Sequence, residues 1–252
     1  MKTIAVAAMA ALLFMPMTAE AGPVEELLSG ARTECRGCDL TDARFKKADL
    51  SGVDFTGATL TGATFHRAIL KGAVFDGVVA NGANFNLADL SNASFVGADV
   101  SDSLFYEAQL SGAKFDDAKL VNARLQHARL TGASLLNANL DGAVAKQARL
   151  NNATLTGASL LRTNFDGASI GRSSFDKTRI DNARFTGVNG AGASFAGAII
   201  TMTDFYNADI RRANFAEAQV AGSRFTRAKI NNESFADAEM RQNWMQDGQL
   251  RE

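Results

Sequence analysis

The sequence predicts an all-β chain built as one parallel β-solenoid of square cross-section, and three periodicities carry that prediction. From Cys38 to Gln242 a five-residue phase runs through 41 units without an insertion or deletion. A large apolar residue stands at nearly every position divisible by five, from Leu40, Phe45 and Leu50 to Phe235 and Met240. A helix repeats every 3.6 residues and a strand every 2, so neither gives this period. A chain that turns repeatedly, pointing two of every five residues inward, does. Two residues before each centre comes a small side chain; thirty of the forty such positions from 43 to 238 are Ala. Small groups fit corners where the backbone turns tightly against a packed interior. Finally, sixteen Phe fall only at centres ending in five, Phe45 to Phe115 and Phe165 to Phe235, while centres ending in zero are mostly aliphatic. An even number of units per coil therefore stacks like upon like. Four per coil gives a square of twenty residues, with Phe columns on two opposite sides and aliphatic columns on the other two. At the usual strand spacing of about 4.8 Å, some ten coils make a rod roughly 50 Å long.

The turns follow from the residue two after each centre, which is mostly Gly or Asn: Gly52, Gly57, Gly62, Gly72, Asn92, Asn122, Asn152. These residues tolerate the positive φ of a tight turn. Ala80, Ala145 and Gly190 are centres too small to fill the square, so the coil at Val188–Gly192 is expected to narrow or loosen.

Stretches such as Ala48-Asp49-Leu50-Ser51-Gly52, Ala88-Asp89-Leu90-Ser91-Asn92 and Ala138-Asn139-Leu140-Asp141-Gly142 resemble the A(D/N)LXX consensus of the pentapeptide-repeat family. The resemblance covers about four-fifths of the chain. It implies a right-handed quadrilateral parallel β-helix, in keeping with the right-handed preference of parallel crossovers. The family shares a shape more than an activity, so the fold assigns no role by itself.

Four segments are expected. Residues 1–21 read as a secretory signal peptide: Lys2, an apolar run from Ile4 to Met15, and Ala19-Glu20-Ala21 before Gly22. Export to the periplasm or the exterior follows. Residues 22–37 form an N-terminal cap, opened by Pro23 and an amphipathic helix with Val24, Leu27, Leu28 and Ala31 on one face. Residues 38–242 are the β-helix. Residues 243–252, with Trp244 and Met245, read as a second helical cap, because the end of a solenoid exposes strand edges that must be covered. Pairing of two copies end to end is the alternative use of that end, so a monomer or an end-to-end dimer is expected.

The two cysteines, Cys35 and Cys38, suggest a disulfide in an oxidising compartment. Buried free thiols remain an alternative, since Cys38 occupies a small inward position of the lattice, and redox or metal chemistry is a third. The sequence lacks the His that haem attachment needs after Cys38 and the second half of a four-cysteine zinc site. Chains of this family with signal peptides carry such a pair just before the first coil, which implies a cap.

No catalytic, cofactor-binding or metal-binding residue is expected. The two His, His66 and His127, lie three coils apart on one side, and no phosphate loop, HExxH or GxSxG is present. With no insertion to build a lid, the chain has no substrate cleft.

Charge is where function becomes legible. The net charge is −1, yet folding the sequence on a twenty-residue coil separates the signs. The side centred on Phe45 collects nine basic residues, among them Arg44, Lys46, Lys47, Arg67, Arg124, Arg184, Arg224 and Arg227, with Tyr106 and Tyr206, against Glu107, Asp166 and Asp204. Its neighbour, centred on Leu50, is also basic. The sides centred on Phe55 and Leu40 are acidic. The function expected is a non-catalytic exported scaffold whose flat charged sides bind a macromolecule, an acidic protein or an anionic envelope surface. Nucleic acid is not an expected partner. Two alternatives come from other classes. One, which the family resemblance suggests, is imitation of duplex DNA to bind a topoisomerase; it calls for a strongly acidic cytoplasmic rod. The other is a redox or accessory protein acting through Cys35 and Cys38.

Overall fold

The structure, a computed structural model, describes residues 22–251; the expected signal peptide at 1–21 lies outside them. Each coil is twenty residues long. The residue just before each centre pairs in parallel with its equivalent one coil on, from Glu34↔Asp54 to Arg224↔Trp244, with the rung between Asn214 and Ser234 missing. In the C-terminal half, on the Leu40 side, the pairing lengthens into a five-stranded parallel sheet. Its strands are β1 (Ser159–Leu161), β2 (Arg179–Asp181), β3 (Ile199–Thr201), β4 (Gln219–Ala221) and β5 (Glu239–Arg241), in the order β1-β2-β3-β4-β5.

The backbone explains the pentapeptide. At Phe105 the N–H donates to Arg124 O at 2.7 Å, and the turn residue Glu107 donates to Gln126 O at 3.1 Å. Ala108 closes the corner on Phe105 O at 3.1 Å, and Gln109 donates back to Ala88 O at 2.9 Å. Four of five N–H groups are thus satisfied by backbone. The fifth, just after the centre, points outward, and on many coils a side chain takes it: Tyr106 N–H donates to Asn86 Oδ1 at 2.8 Å, and Ser51 N–H to Asp49 Oδ1 at 3.1 Å. An unpaired backbone donor beside a ladder is costly, which accounts for the Asp, Asn and Ser flanking so many centres.

The interior is the two Phe columns and the two aliphatic columns. Phe105 stacks on Phe85 with centroids 5.0 Å apart and meets Phe95 edge-on at 6.1 Å across the core. Both geometries suit the ring quadrupole. In the middle of the rod Leu125, Leu135, Ala145 and Leu155 replace Phe and stay buried. Serines and threonines at the small inward position are also satisfied: Ser103 Oγ donates to Ala80 O at 2.6 Å and Ser173 Oγ to Leu150 O at 2.6 Å. Gly190 leaves no hole. A Cβ there would lie 2.9 Å from Ile170 Cγ1 and 3.2 Å from Ile210 Cγ2, so the neighbours close over it. The ladder runs through unbroken, with Gly190 N–H on Asp209 O at 2.8 Å.

Both ends depart from the expected boundaries. At the N-terminus α1 (Pro23–Ser29) buries Leu27 and ends at Gly30, in the left-handed region at φ 73°. The lattice begins one unit early: Cys35 takes a centre, is 1 % exposed and donates to Asp54 O. At the C-terminus no helical cap forms among the described residues 243–251. A 3-10 turn at Asn232–Phe235 bends the last coil, and the chain then closes as a two-stranded antiparallel pair, β6 (Asn243–Trp244) with β7 (Leu250–Arg251). Trp244 does not lie across the end. It continues the ladder above Arg224 and is half exposed, while Phe235, Met240 and Met245 pack partly buried against the core.

Deleting residues 243–252 therefore removes partners, not only a cover. Ser223 N–H loses Asn243 Oδ1, Phe225 N–H loses Trp244 O, and Val220 O loses the Asn243 amide. The truncated protein is expected to lose amide-exchange protection over 215–230 and to self-associate on a sizing column. A monomer with parental protection would refute this role of the tail.

Candidate binding surface

The ten basic and aromatic candidates all face one side, but at three levels. Arg44, Arg124, Arg184 and Arg224 stand in a single ladder column. Arg44, Lys46, Lys47 and Arg67 gather near the N-terminal end, Tyr106 and Arg124 lie mid-rod, and Arg184, Tyr206, Arg224 and Arg227 lie near the C-terminal end.

Two of the three arginines of the C-terminal group are neutralised within the protein, while Arg227 enters no ion pair among the described residues. Arg184 pairs with Asp166 at 2.7 Å, and Arg224 grips Asp204 with two nitrogens. The Arg224 guanidinium lies 4.8 Å over the Tyr206 ring, and Arg227 donates to the Tyr206 hydroxyl at 3.0 Å. Although partial burial pushes the Asp204 carboxyl up, its hydrogen bonds to Arg224 and the Tyr206 N–H outweigh this and hold it low. This cluster is a closed structural unit.

The N-terminal group is different. Among the described residues Arg44, Lys46, Lys47 and Arg67 enter no ion pair. Their field is felt at His66, whose imidazole is pushed toward the neutral form by partial desolvation and then by Arg67, Lys46 and Lys47. Positive charge left unopposed at one place is what attracts an anionic partner.

A second feature runs along the edge where the Phe45 and Leu50 sides meet. Its turn residues on six consecutive coils are Lys47, Arg67, Leu87, Glu107, His127 and Gln147, all left-handed with φ between 54° and 61°. The equivalent turns of the other three edges, between residues 52 and 157, are Gly, Asn or Asp throughout, for example Gly52, Gly57, Asp102, Asn122 and Asn137. A larger side chain in this region costs about 1–2 kcal/mol relative to a right-handed conformation. Over these coils one edge thus carries bulky side chains where the others use the residues that suit the turn; further along the rod the other edges carry them too, at Arg162, Arg172, Lys177, Met202, Arg212 and Glu217. Strain held at a particular place points to function there. Sequence reasoning located Lys47 and Arg67 by charge but missed Leu87, Glu107, His127 and Gln147 as members of one column. Sorting the turn residues by edge would have found them.

The acidic sides are more structural than they look in sequence. Asp76, Asp116 and Asp176 each accept a Ser hydroxyl and a backbone N–H from the next coil, the latter at Val96, Leu136 and Ala196. Asp39 and Asp54 are held low first by the hydroxyls of Thr41 and Thr56. These carboxylates are fixed as caps of the ladder.

Cys35 and Cys38 are joined as a disulfide with Cα atoms 5.3 Å apart, beside the first coil. His127 meets the Tyr106 ring edge-on at 5.5 Å. Among the described residues no group of three His, Cys, Asp or Glu is arranged to hold a metal, and no helix is long and apolar enough to cross a membrane.

The pentapeptide-repeat family model matches residues 33–77, 68–105, 108–144, 133–172, 148–187 and 191–227, in eight copies. Among solved structures, the chain is similar to HetL, a pentapeptide repeat protein involved in heterocyst differentiation regulation from the cyanobacterium Nostoc sp. strain PCC 7120. The identity is 22 %, covering 88 % of this chain and 95 % of that one, with a TM-score of 0.38. A trypsin-treated form of QnrB1, a plasmid-mediated fluoroquinolone resistance protein, is 19 % identical over 80 % of this chain and 91 % of its own, at a TM-score of 0.44. A pentapeptide repeat protein from the Arabidopsis thaliana thylakoid lumen is 34 % identical over 46 % of this chain and 67 % of its own, at 0.26. No curated protein matches in sequence. With coils that repeat every twenty residues and a family match spanning most of their length, this chain belongs to the pentapeptide-repeat family.

Proposed function

We propose that the protein is an exported, non-catalytic scaffold that binds an acidic protein or an anionic envelope surface along its basic edge. The observation that carries this reading is the unpaired N-terminal cluster Arg44, Lys46, Lys47 and Arg67, continued by bulky turn residues as far as Gln147. Lys47 and Arg67 belong to both features. The rigid ladder holds their backbone at fixed spacing, so binding needs little ordering of the scaffold, which favours affinity. Export rests on the leader-like residues 1–21 and agrees with a disulfide at Cys35–Cys38.

The test is capture of partners from the envelope fraction by the protein lacking residues 1–21. Binding should weaken steeply as salt rises past physiological strength, where the screening length is about 8 Å. Replacing Arg44, Lys46, Lys47 and Arg67 together by Glu should abolish capture and leave the melting profile unchanged, because all four side chains are exposed. Equal capture by parent and variant at low salt would sink the proposal.

A further inference from the structure

Mid-rod, the same edge opens into a groove of about 330 Å³ lined by Leu87, Glu107, Gln109, His127, Arg129, Gln147 and Arg149. Its two arginines are register partners in the ladder, one coil apart, which places their backbones at strand spacing, about 4.8 Å. Like charges set directly opposite one another repel. Elsewhere this rod relieves the conflict: the column through Arg184 and Arg224 puts Asp204 between them, and both arginines are ion-paired. Arg129 and Arg149 receive no such relief. Their flanking ladder partners are Gln109 and Ser169, and neither arginine enters an ion pair among the described residues. Both are exposed, so the pair is not a product of core packing. Beside them stand His127 and Gln147, two of the bulky residues held in left-handed turns, at φ 60° and 55°. Glu107 is the one acid lining the groove.

We propose that this groove binds a tetrahedral oxyanion, a phosphate or sulfate group carried as an ester on a larger molecule. Two guanidiniums on adjacent rungs offer paired N–H donors to separate oxygens, the geometry in which arginine recognises such groups best. The His127 ring and the Gln147 amide supply further donors beside them. The groove is wider than a bare oxyanion, which leaves room for the ring of a sugar or a similar polar body, and Leu87 gives that body an apolar surface. Glu107 disfavours an approach from its end, so the anion sits toward Arg149. The site deepens the reading of the basic edge as the binding surface, but it rests on a different pair of residues and is separable from the N-terminal cluster.

The experiment is titration of the protein lacking residues 1–21 with inorganic phosphate, inorganic sulfate, a hexose phosphate and vesicles containing an anionic phospholipid. The His127 ring resonances serve as reporter, with calorimetry alongside. The hexose phosphate is expected to shift the His127 signals and to bind at least tenfold more tightly than inorganic phosphate. Stronger binding of the vesicles than of the hexose phosphate would identify a lipid headgroup as the source of the group. Replacing Arg129 and Arg149 by Gln should weaken binding at least tenfold. Replacing both by Lys, which keeps charge but loses the paired donors, should weaken it several-fold. Replacing Lys119, on another side, by Gln should change nothing. The variant with Arg44, Lys46, Lys47 and Arg67 reversed should still bind the hexose phosphate, which separates this site from partner capture. No binding of any of the four probes, or equal binding by the Arg129/Arg149 double Gln variant, would overturn the proposal, whether or not the parent captures a partner.

Discussion

Replacing Phe105 by Ala is expected to cost about 3–5 kcal/mol, the range for removing a large buried aromatic residue. The ring has no exposed surface, stacks on Phe85 at 5.0 Å, and meets Phe95 and Phe115 edge-on at 6.1 and 6.0 Å. Removing it opens a void between Phe85 and Leu125, and the ladder on either side prevents the coils from closing over it. The adjacent Tyr106 is 41 % exposed and touches only the edge of His127 among aromatic rings. Its replacement by Ala should cost under about 1 kcal/mol, as for most surface changes. Because neighbouring coils carry most of each other's stability, the loss at Phe105 should be local. Amide exchange should quicken across residues 85–125 before the ends are affected. Equal losses from the two variants in denaturant titrations would show that the inward phase is misassigned.

How much could be read beforehand follows from where the constraint is periodic. The inward columns were legible because Phe45, Phe65 and Phe85 repeat a constraint that every coil imposes. The corners were legible for the same reason, since Ala is what fits beside a turn. The ends were not, because nothing repeats there. Cys35 occupies a centre although it is neither Phe nor aliphatic, and the register alone shows it. Trp244 read as a cap because an isolated large aromatic residue in a polar tail has no phase of its own; the structure places it in the ladder. The charged sides were legible only as sums. Asp166 and Asp204 entered the count of the basic side, but that they pair individually with Arg184 and Arg224 emerges only once the coils are stacked. Arg129 and Arg149 were counted as two of many, yet their register makes them the pair without relief.

Replacing Leu87, Glu107, His127 and Gln147 together by Gly is expected to stabilise the rod. Each of the four is left-handed, at φ 61°, 54°, 60° and 55°. Removing the Cβ relieves about 1–2 kcal/mol per position. The added freedom of the unfolded chain returns about 0.4–1 kcal/mol of that. Four changes should therefore gain roughly 2–4 kcal/mol together, allowing for coupling between adjacent coils. A control at a neighbouring edge should show the opposite sign. Gly132 is left-handed at φ 67° with open space around its missing Cβ, so Gly132→Gln should destabilise by about 1 kcal/mol from backbone strain alone. The four-Gly variant should also lose most of its binding of the hexose phosphate, since the His127 and Gln147 donors are gone, and should capture partners less well. Greater stability with weaker binding is the pattern expected where side chains are kept for a ligand at the expense of the fold. If the variant is less stable than the parent, the left-handed turns are not strained. If it is more stable and binds as before, the edge carries its bulky residues for some reason other than recognition.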